Sequence, residues 1–406
     1  MRKNASITLL SVGHACVDVY QGAVASLVPF FVAERAYDYA AVSGVVLAAS
    51  LLSSVVQPLF GALTDRWPMP WLLPAGMLLG GLGVALSGVS GSYALTLAFV
   101  ALSGVGVAAY HPESARVARL VAGGSGHRAM GWFSLGGNLG FATAPLLVTT
   151  VVAGGGLALT PLLVLPALVG SVLCVPVLRA LERRQPPGPG AAVTTGGDDK
   201  ASFVKLSLAV VCRSIVFIGL GTFISLYAKE RMAGSTAAGT AALLVLYLGG
   251  AVGSVLGGAL ADRWDRVTVC RWSCLVTVGS VAGVVFVPGP ALYLFVAATS
   301  IGLYVPFSLQ VTLGQDYLPS RVGTAGGITL GLAVSIGGLV SPLIGCVADA
   351  TSLRTALAPL VLMPALGWLL FRTLPEPVPP SRSGTVTPVP GGDSAVAASP
   401  TRPDHR

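Results

Sequence analysis

Charge is what this sequence has least of. Asp, Glu, Lys and Arg together make up 10% of its 406 residues, against about 25% in soluble domains, so a water-facing globular surface is excluded for most of the chain. Paired cysteines are lacking too. Cys16, Cys174, Cys212, Cys270, Cys274 and Cys346 stand in or beside apolar runs, and none has the CxxC spacing of a zinc site. They read as reduced core residues, with no metal ligand set among them. No GxxxxGKS loop is present to cradle a nucleotide phosphate, which argues against pumping driven by ATP. No cofactor motif, catalytic loop or soluble domain stands between the apolar runs, which weighs against an enzyme or a membrane sensor. The formal net charge is +8, but the basic residues do not gather on one soluble face, so nucleic acid is not the expected partner.

What is present is apolar length. Hydrophobic residues make up 54% of the chain and the mean hydropathy is +0.80. A membrane-crossing helix takes about 20 apolar residues, so the stretch from Ile7 to Leu374 has room for twelve, the first near 7–32, the third near 71–90 and the eleventh near 322–347. The expected class is an all-α membrane protein of twelve transmembrane helices. Small residues let helices approach closely in lipid, and Gly249, Gly253 and Gly257 recur at four-residue spacing, which predicts a helix packed against protein on that face.

With the N-terminus placed inside, nineteen of the 24 Lys and Arg fall on the inner side. Only Arg35, Lys229, Arg231 and Arg354 fall outside, and Arg213 alone lies within a span. The positive-inside rule then puts both termini in the cytoplasm of a cell-membrane protein. Arg2 and Lys3 before an apolar run resemble a secretory leader, but the run is long and interrupted by His14 and Asp18, so it reads as a retained first helix. The expected organisation is a six-helix bundle over 1–180, a cytoplasmic linker over 181–202 rich in Pro, Gly and Thr, a second bundle over 203–374, and a disordered cytoplasmic tail over 375–406.

An internal repeat supports that division. GALTDRW at Gly61–Trp67 returns as GALADRW at Gly258–Trp264, and Pro145 returns as Pro342, all at an offset of 197 positions. Tandem six-helix units of parallel topology are related by an axis along the membrane normal, with substrate sites at mid-depth between them. The repeated GxLxDRW resembles the signature loop of the major facilitator superfamily. The second copy matches through Arg266, whereas in the first Pro68 to Pro70 replace the usual basic run. Within that superfamily, GHACVDVYQG at Gly13–Gly22, YHPESARVA at Tyr110–Ala118 and DYLPSRVGTAGG at Asp316–Gly327 are similar to fosmidomycin-resistance exporters. That resemblance covers Ser11 to Leu374 and implies the major facilitator fold and proton-driven drug efflux. The GP pair common in the fifth helix of superfamily exporters is missing here.

The polar residues inside the spans are the candidate site. His14, Asp18 and Gln21 lie at i, i+4 and i+7 and so share a helix face. Asp18 falls about 17 Å along from Ile7, near mid-depth, at ~1.5 Å per residue. An ionisable residue there marks a transport or proton pathway, with a structural ion pair for Asp18 and an interhelical hydrogen bond for His14 as the plainer alternatives. Arg213 stands at the same depth in the seventh span. Its planar fork suits a phosphonate or carboxylate, and it is expected either to hold substrate or to pair with Asp18. Glu113 and Arg116 share a face near the inner end of the fourth span beside His111 and Pro112, as a proton relay or as an anchor. Gln21, Asn138, Tyr304 and Gln310 are further lining candidates, or simply interhelical glue. Asp65, Arg66, Asp262 and Arg263 are candidate gating latches, with plain solvated loops as the alternative, and Arg116 and His111 at the inner end of the fourth span are grouped with them as gating residues. The reading these residues support is a monomeric proton-coupled secondary transporter of a small molecule in a lipid bilayer, exporting a drug-like or anionic compound. Uptake or facilitated diffusion of a metabolite is the alternative on the same fold.

Overall fold

The structure, a computed structural model, describes residues 3–122, 126–182, 197–319, 325–326, 328–329 and 333–377. The first group of helices comprises α1 (Lys3–Arg35), α2 (Tyr39–Arg66), α3 (Leu72–Ser87), α4 (Tyr93–Ala122), α5 (Gly126–Ala153) and α6 (Leu165–Glu182). The second comprises α7 (Lys200–Arg231), α8 (Thr236–Ala261), α9 (Arg266–Phe286), α10 (Leu292–Tyr304), α11 (Phe307–Tyr317), α12 (Ala333–Leu339), α13 (Ser341–Ala350), α14 (Leu353–Leu357) and α15 (Leu362–Arg372). Ten helical stretches among the described residues are long and apolar enough to cross a membrane. Two shorter apolar helices, Leu72–Ser87 and Ser341–Ala350, bring the number to the expected twelve. The eleventh crossing, expected over 322–347, falls partly outside the described residues, as do most of the expected linker and the tail beyond residue 377.

Within the bilayer a backbone amide or carbonyl has no water to turn to, and the helix breaks show how each is satisfied. Pro306 divides the tenth crossing into α10 and α11. Lacking an N–H, it leaves the carbonyl four residues back without a helical donor, and the Ser273 hydroxyl donates to that carbonyl, Gly302 O, at 2.6 Å. Where the 3-10 turn Gly156–Val164 runs into α6, the Tyr20 hydroxyl accepts from Ala167 N at 2.7 Å and donates to Leu163 O at 3.0 Å. It thereby bridges two groups that a regular helix would pair directly.

Close packing follows the small residues. A Cβ on Gly140 of α5 would lie 2.1 Å from Ala15 O of α1, and one on Gly257 of α8 would lie 2.2 Å from Val305 O beside α10. The glycine face of α8 therefore meets protein, as its spacing predicts. All six cysteines are free thiols, but Cys346 is exposed on α13 rather than in the core expected for it, since the side of α13 that carries it turns away from α2.

The face bearing the 67–71 and 262–265 connections, here the loop face, is braced by Arg266. Its guanidinium pairs with Asp316 at 2.7 Å and Glu376 at 2.8 Å. On the far face, two of the four expected outer cations cap helix C-termini. Arg35 donates to Gly88 O at 2.5 Å beyond α3, and Arg231 donates to Val287 O at 2.8 Å beyond α9, where the last carbonyls lack helical donors. The expectation drawn from this packing is that Gly140→Leu loses about 1–3 kcal/mol through overpacking. Gly258→Leu, with nothing within 4 Å of the added Cβ, should keep the wild-type melting temperature in detergent, and the two thermal shifts compared directly check this.

Candidate functional site

α1 is the most enclosed of the crossings, and His14, Asp18 and Gln21 share one of its faces. His14 and Asp18 are 8% and 7% exposed. The Asp18 carboxylate would be costly to bury alone. Instead it meets His14 Nε2 at 3.3 Å through Oδ2 and His111 Nε2 of α4 at 3.0 Å through Oδ1. Gln21 Nε2 donates to Oδ1 at 3.1 Å. Each imidazole is anchored from behind: His14 Nδ1 to Phe133 O of α5 and His111 Nδ1 to Val107 O of its own helix, both at 2.8 Å. The Phe133 ring stacks on His14 at 4.2 Å between centroids. Gly137 of α5 makes the room, because a Cβ there would lie 2.4 Å from Asp18 Oδ2.

Beside this cluster lies a cavity of about 120 Å³ whose lining includes Tyr20, Gln21, Phe141, Phe217 and Tyr247 from both groups of six. Gln21 therefore touches both the Asp18 carboxylate and the cavity. Phe141 and Tyr247 meet edge to face at 4.8 Å across it.

Arg213 on α7 is 9% exposed. Its Nε donates to Gln310 Oε1 at 2.9 Å, and its guanidinium lies 5.0 Å from the centre of the Phe307 ring. The break at Pro306 places both partners one turn of α11 apart. Tyr304 lies next to this group, its ring 6.0 Å from that of Phe307. The ion pair expected between Arg213 and Asp18 does not form. The carboxylate is already satisfied by two histidines and a glutamine, and the guanidinium by Gln310 and an aromatic face.

His111 departs from the expected latch and belongs with Asp18. Glu113, fully buried, instead takes Arg116 in a two-bonded pair on α4, with Arg116 Nε at 2.8 Å and Nη2 on the other oxygen. Asn138 is half-buried beside Gly137 and lines neither the cavity nor the small pocket at Arg213. Arg66 stacks on Trp67 at 4.9 Å, Asp262 and Arg263 are exposed, and the Asp65 side chain lies outside the described ones. The start of α9 is capped by Asp265, three residues beyond Asp262, which accepts from Thr268 N at 2.8 Å. No metal ligands were expected, yet the His14, Asp18 and His111 donor atoms all lie within 4.8 Å of one another.

Sequence reasoning also missed how the two groups of six join. Asp349 of α13 accepts from Tyr39 N and Ala40 N, both at 2.9 Å, capping α2 from the other group. Thr149 and Thr240 hydroxyls meet at 2.8 Å between α5 and α8. These hydrogen bonds between the groups, the ones found among the described residues, all lie toward the far face. An acidic residue next to the last position of a helix carries no sequence mark of a cap made to a distant helix.

Residues 10–342 match the family profile of the Major Facilitator Superfamily. The chain is 28% identical over 373 residues to the fosmidomycin resistance protein of Escherichia coli, covering 89% of this chain and 90% of that one. It is likewise 28% identical over 379 residues to the uncharacterized MFS-type transporter YfnC of Bacillus subtilis, covering 90% and 91%. In three dimensions it is similar to a bacterial homolog of the human lysosomal transporter Spinster in an inward-facing, occupied conformation. The TM-score there is 0.73 at 14% identity, over 90% of this chain and 95% of that one. A mutant of the nucleoside transporter NupG gives a TM-score of 0.73 at 12% identity, over 91% and 99%. These two likenesses establish the fold.

The far-face tie can be tested directly. Thr149→Cys with Thr240→Cys should cross-link on mild oxidation. Adding Asp349→Ala, which removes a cap worth about 1 kcal/mol, should lower the closed-to-open ratio roughly fivefold and so slow the cross-linking. An unchanged rate on non-reducing gels would show that the cap does not hold this face.

Proposed function

The chain belongs to the Major Facilitator Superfamily, multi-pass membrane transporters of small molecules, and on that premise we propose that it is a proton-coupled exporter of a small anionic or drug-like compound. The observation that carries this reading is Asp18, a carboxylate near mid-depth held by two histidines and, through Gln21, in touch with the cavity between the two six-helix bundles. An ionisable group at that depth is costly to keep without a transport role. The proposed cycle has Asp18, with His14 and His111, exchange protons as the bundles rock about the cavity. Glu113, locked to Arg116 on its own helix, serves as an anchor at the inner end of α4.

Arg213 is proposed as the substrate's anionic partner. It carries a full charge and, among the described residues, spends one hydrogen bond, on Gln310, which leaves donors of its fork for a phosphonate or carboxylate. Gln310 and Tyr304 would orient it. The name of the Escherichia coli relative supports fosmidomycin as the first compound to try. Positive-inside reasoning places the loop face and both termini in the cytoplasm of a cell membrane. The bonds that tie the two bundles toward the far face then describe an inward-facing form, the one that loads substrate from inside before export.

In everted vesicles from an overexpressing strain, fosmidomycin should release protons through the wild-type chain. Asp18→Asn should abolish that flux while leaving substrate exchange measurable, and unchanged pH-dependent efflux would sink the assignment. Arg213→Lys keeps the charge but loses the fork. It should weaken apparent affinity for an anionic substrate roughly 10- to 100-fold, the range of about 1.5–3 kcal/mol for a hydrogen bond to a charged group. Full transport by this variant, measured as concentration-dependent uptake into the same vesicles, would remove Arg213 from the site.

A further inference from the structure

We propose that His14, Asp18 and His111 form a three-ligand site for a first-row divalent transition metal, Zn2+ in the first instance. A backbone carbonyl only accepts, so His14 Nδ1 and His111 Nδ1, each 2.8 Å from one, both carry their hydrogens. In the neutral rings both Nε2 atoms are then bare lone pairs, and both point at carboxylate oxygens, at 3.3 and 3.0 Å. Lone pairs facing lone pairs repel unless a proton or a metal ion lies between them. A divalent metal serves both contacts at once.

The donors fit that ion in kind, spacing and backing. Imidazole nitrogen with a single carboxylate suits zinc and its neighbours, whereas magnesium and calcium take all-oxygen sets. Zinc–ligand lengths of about 2.0–2.1 Å put tetrahedral donors about 3.3 Å apart. The two nitrogen–oxygen separations, each to a different oxygen of the carboxylate, are 3.3 and 3.0 Å, and with one donor atom from each residue all three lie within 4.8 Å, so an ion would draw them slightly inward. The backbone carbonyls behind both rings are the outer-shell acceptors that fix a metal-ligating tautomer and ring direction. Gly137 keeps a wall of backbone close on one side, where a Cβ would strike Asp18 Oδ2 and the His14 ring. On the other side His111 is 20% exposed and Gln21 leads to the cavity. A water from the cavity would supply the fourth ligand of an open site. Two ligands come from α1 and one from α4, so the ion would pin these helices together and compete with transport for Asp18.

The test uses the full-length chain purified through a histidine-free tag, titrated with Zn2+ by calorimetry and with Co2+ by visible absorption. The expected result is one site per chain with the bands of a tetrahedral cobalt centre. Affinity should fall by at least about 100-fold in His14→Gln and in His111→Gln, beyond what the loss of an outer-shell partner costs. A wild-type chain that takes up neither ion overturns the proposal. So do variants that bind as the wild type does, the result expected of adventitious capture by His127 or His405. A second arm needs no variant: Zn2+, but not Mg2+, should protect His14 and His111 of the wild-type chain from diethyl pyrocarbonate. Equal labelling with and without Zn2+ overturns the site just as directly. Failure here leaves the proton-coupled reading standing, since that reading needs the Asp18 carboxylate but no metal.

Discussion

A carboxylate near the middle of a lipid-embedded bundle needs donors pressed against it, and much of the first six-helix group is arranged around that demand. Asp18 takes two partners from its own helix and one from α4. The imidazoles that face it are held in turn by carbonyls of α5 and α4. Gly137 lets α5 come close enough for this, and Gly140 continues the same contact one turn on. The packing of α1 on α5 and the solvation of the carboxylate are thus one problem with one solution. A larger residue at either glycine would press on backbone or on the charged group itself.

The second group meets the same demand with the opposite charge and different means. Arg213 has no carboxylate on it among the described residues and is held by an amide oxygen and an aromatic face. Amide and ring leave the cation's net charge uncancelled, whereas an ion pair with Asp18 would have neutralised both groups at once. The two bundles thus meet the same demand with different chemistry.

How much of this was legible from sequence follows from what one dimension encodes. Twelve crossings were legible because length and hydropathy set them, and the shared face of His14, Asp18 and Gln21 was legible because helix periodicity sets it. Arg213 was placed by depth alone, and depth says nothing about rotation: its side chain turns toward α11. His111 was placed with a gate for the same reason: its height along α4 was plain and its azimuth was not. Gln310, aligned with Glu113 by the 197-residue offset, proved to be the acceptor for Arg213, a role no single-helix pattern signals. The Phe133 carbonyl that orients His14 could not be found from residue types, because every residue has a carbonyl. The exposed Cys346 marks the limit of reading burial from residue type alone.

The far-face closure consists of a carboxylate seated on two backbone amides and a pair of threonine hydroxyls, with no cation among them. Ion pairs between exposed side chains weaken as salt rises, with a screening length of about 8 Å at physiological ionic strength, whereas these bonds are short, directional and shared with the helix end itself. Closure on that side is therefore keyed to the angle at which α2 begins, and tilting α2 breaks both Asp349 bonds together. Such a fastening behaves as a mechanical detent, less sensitive to the ionic composition of the medium on that face than an exposed ion pair would be.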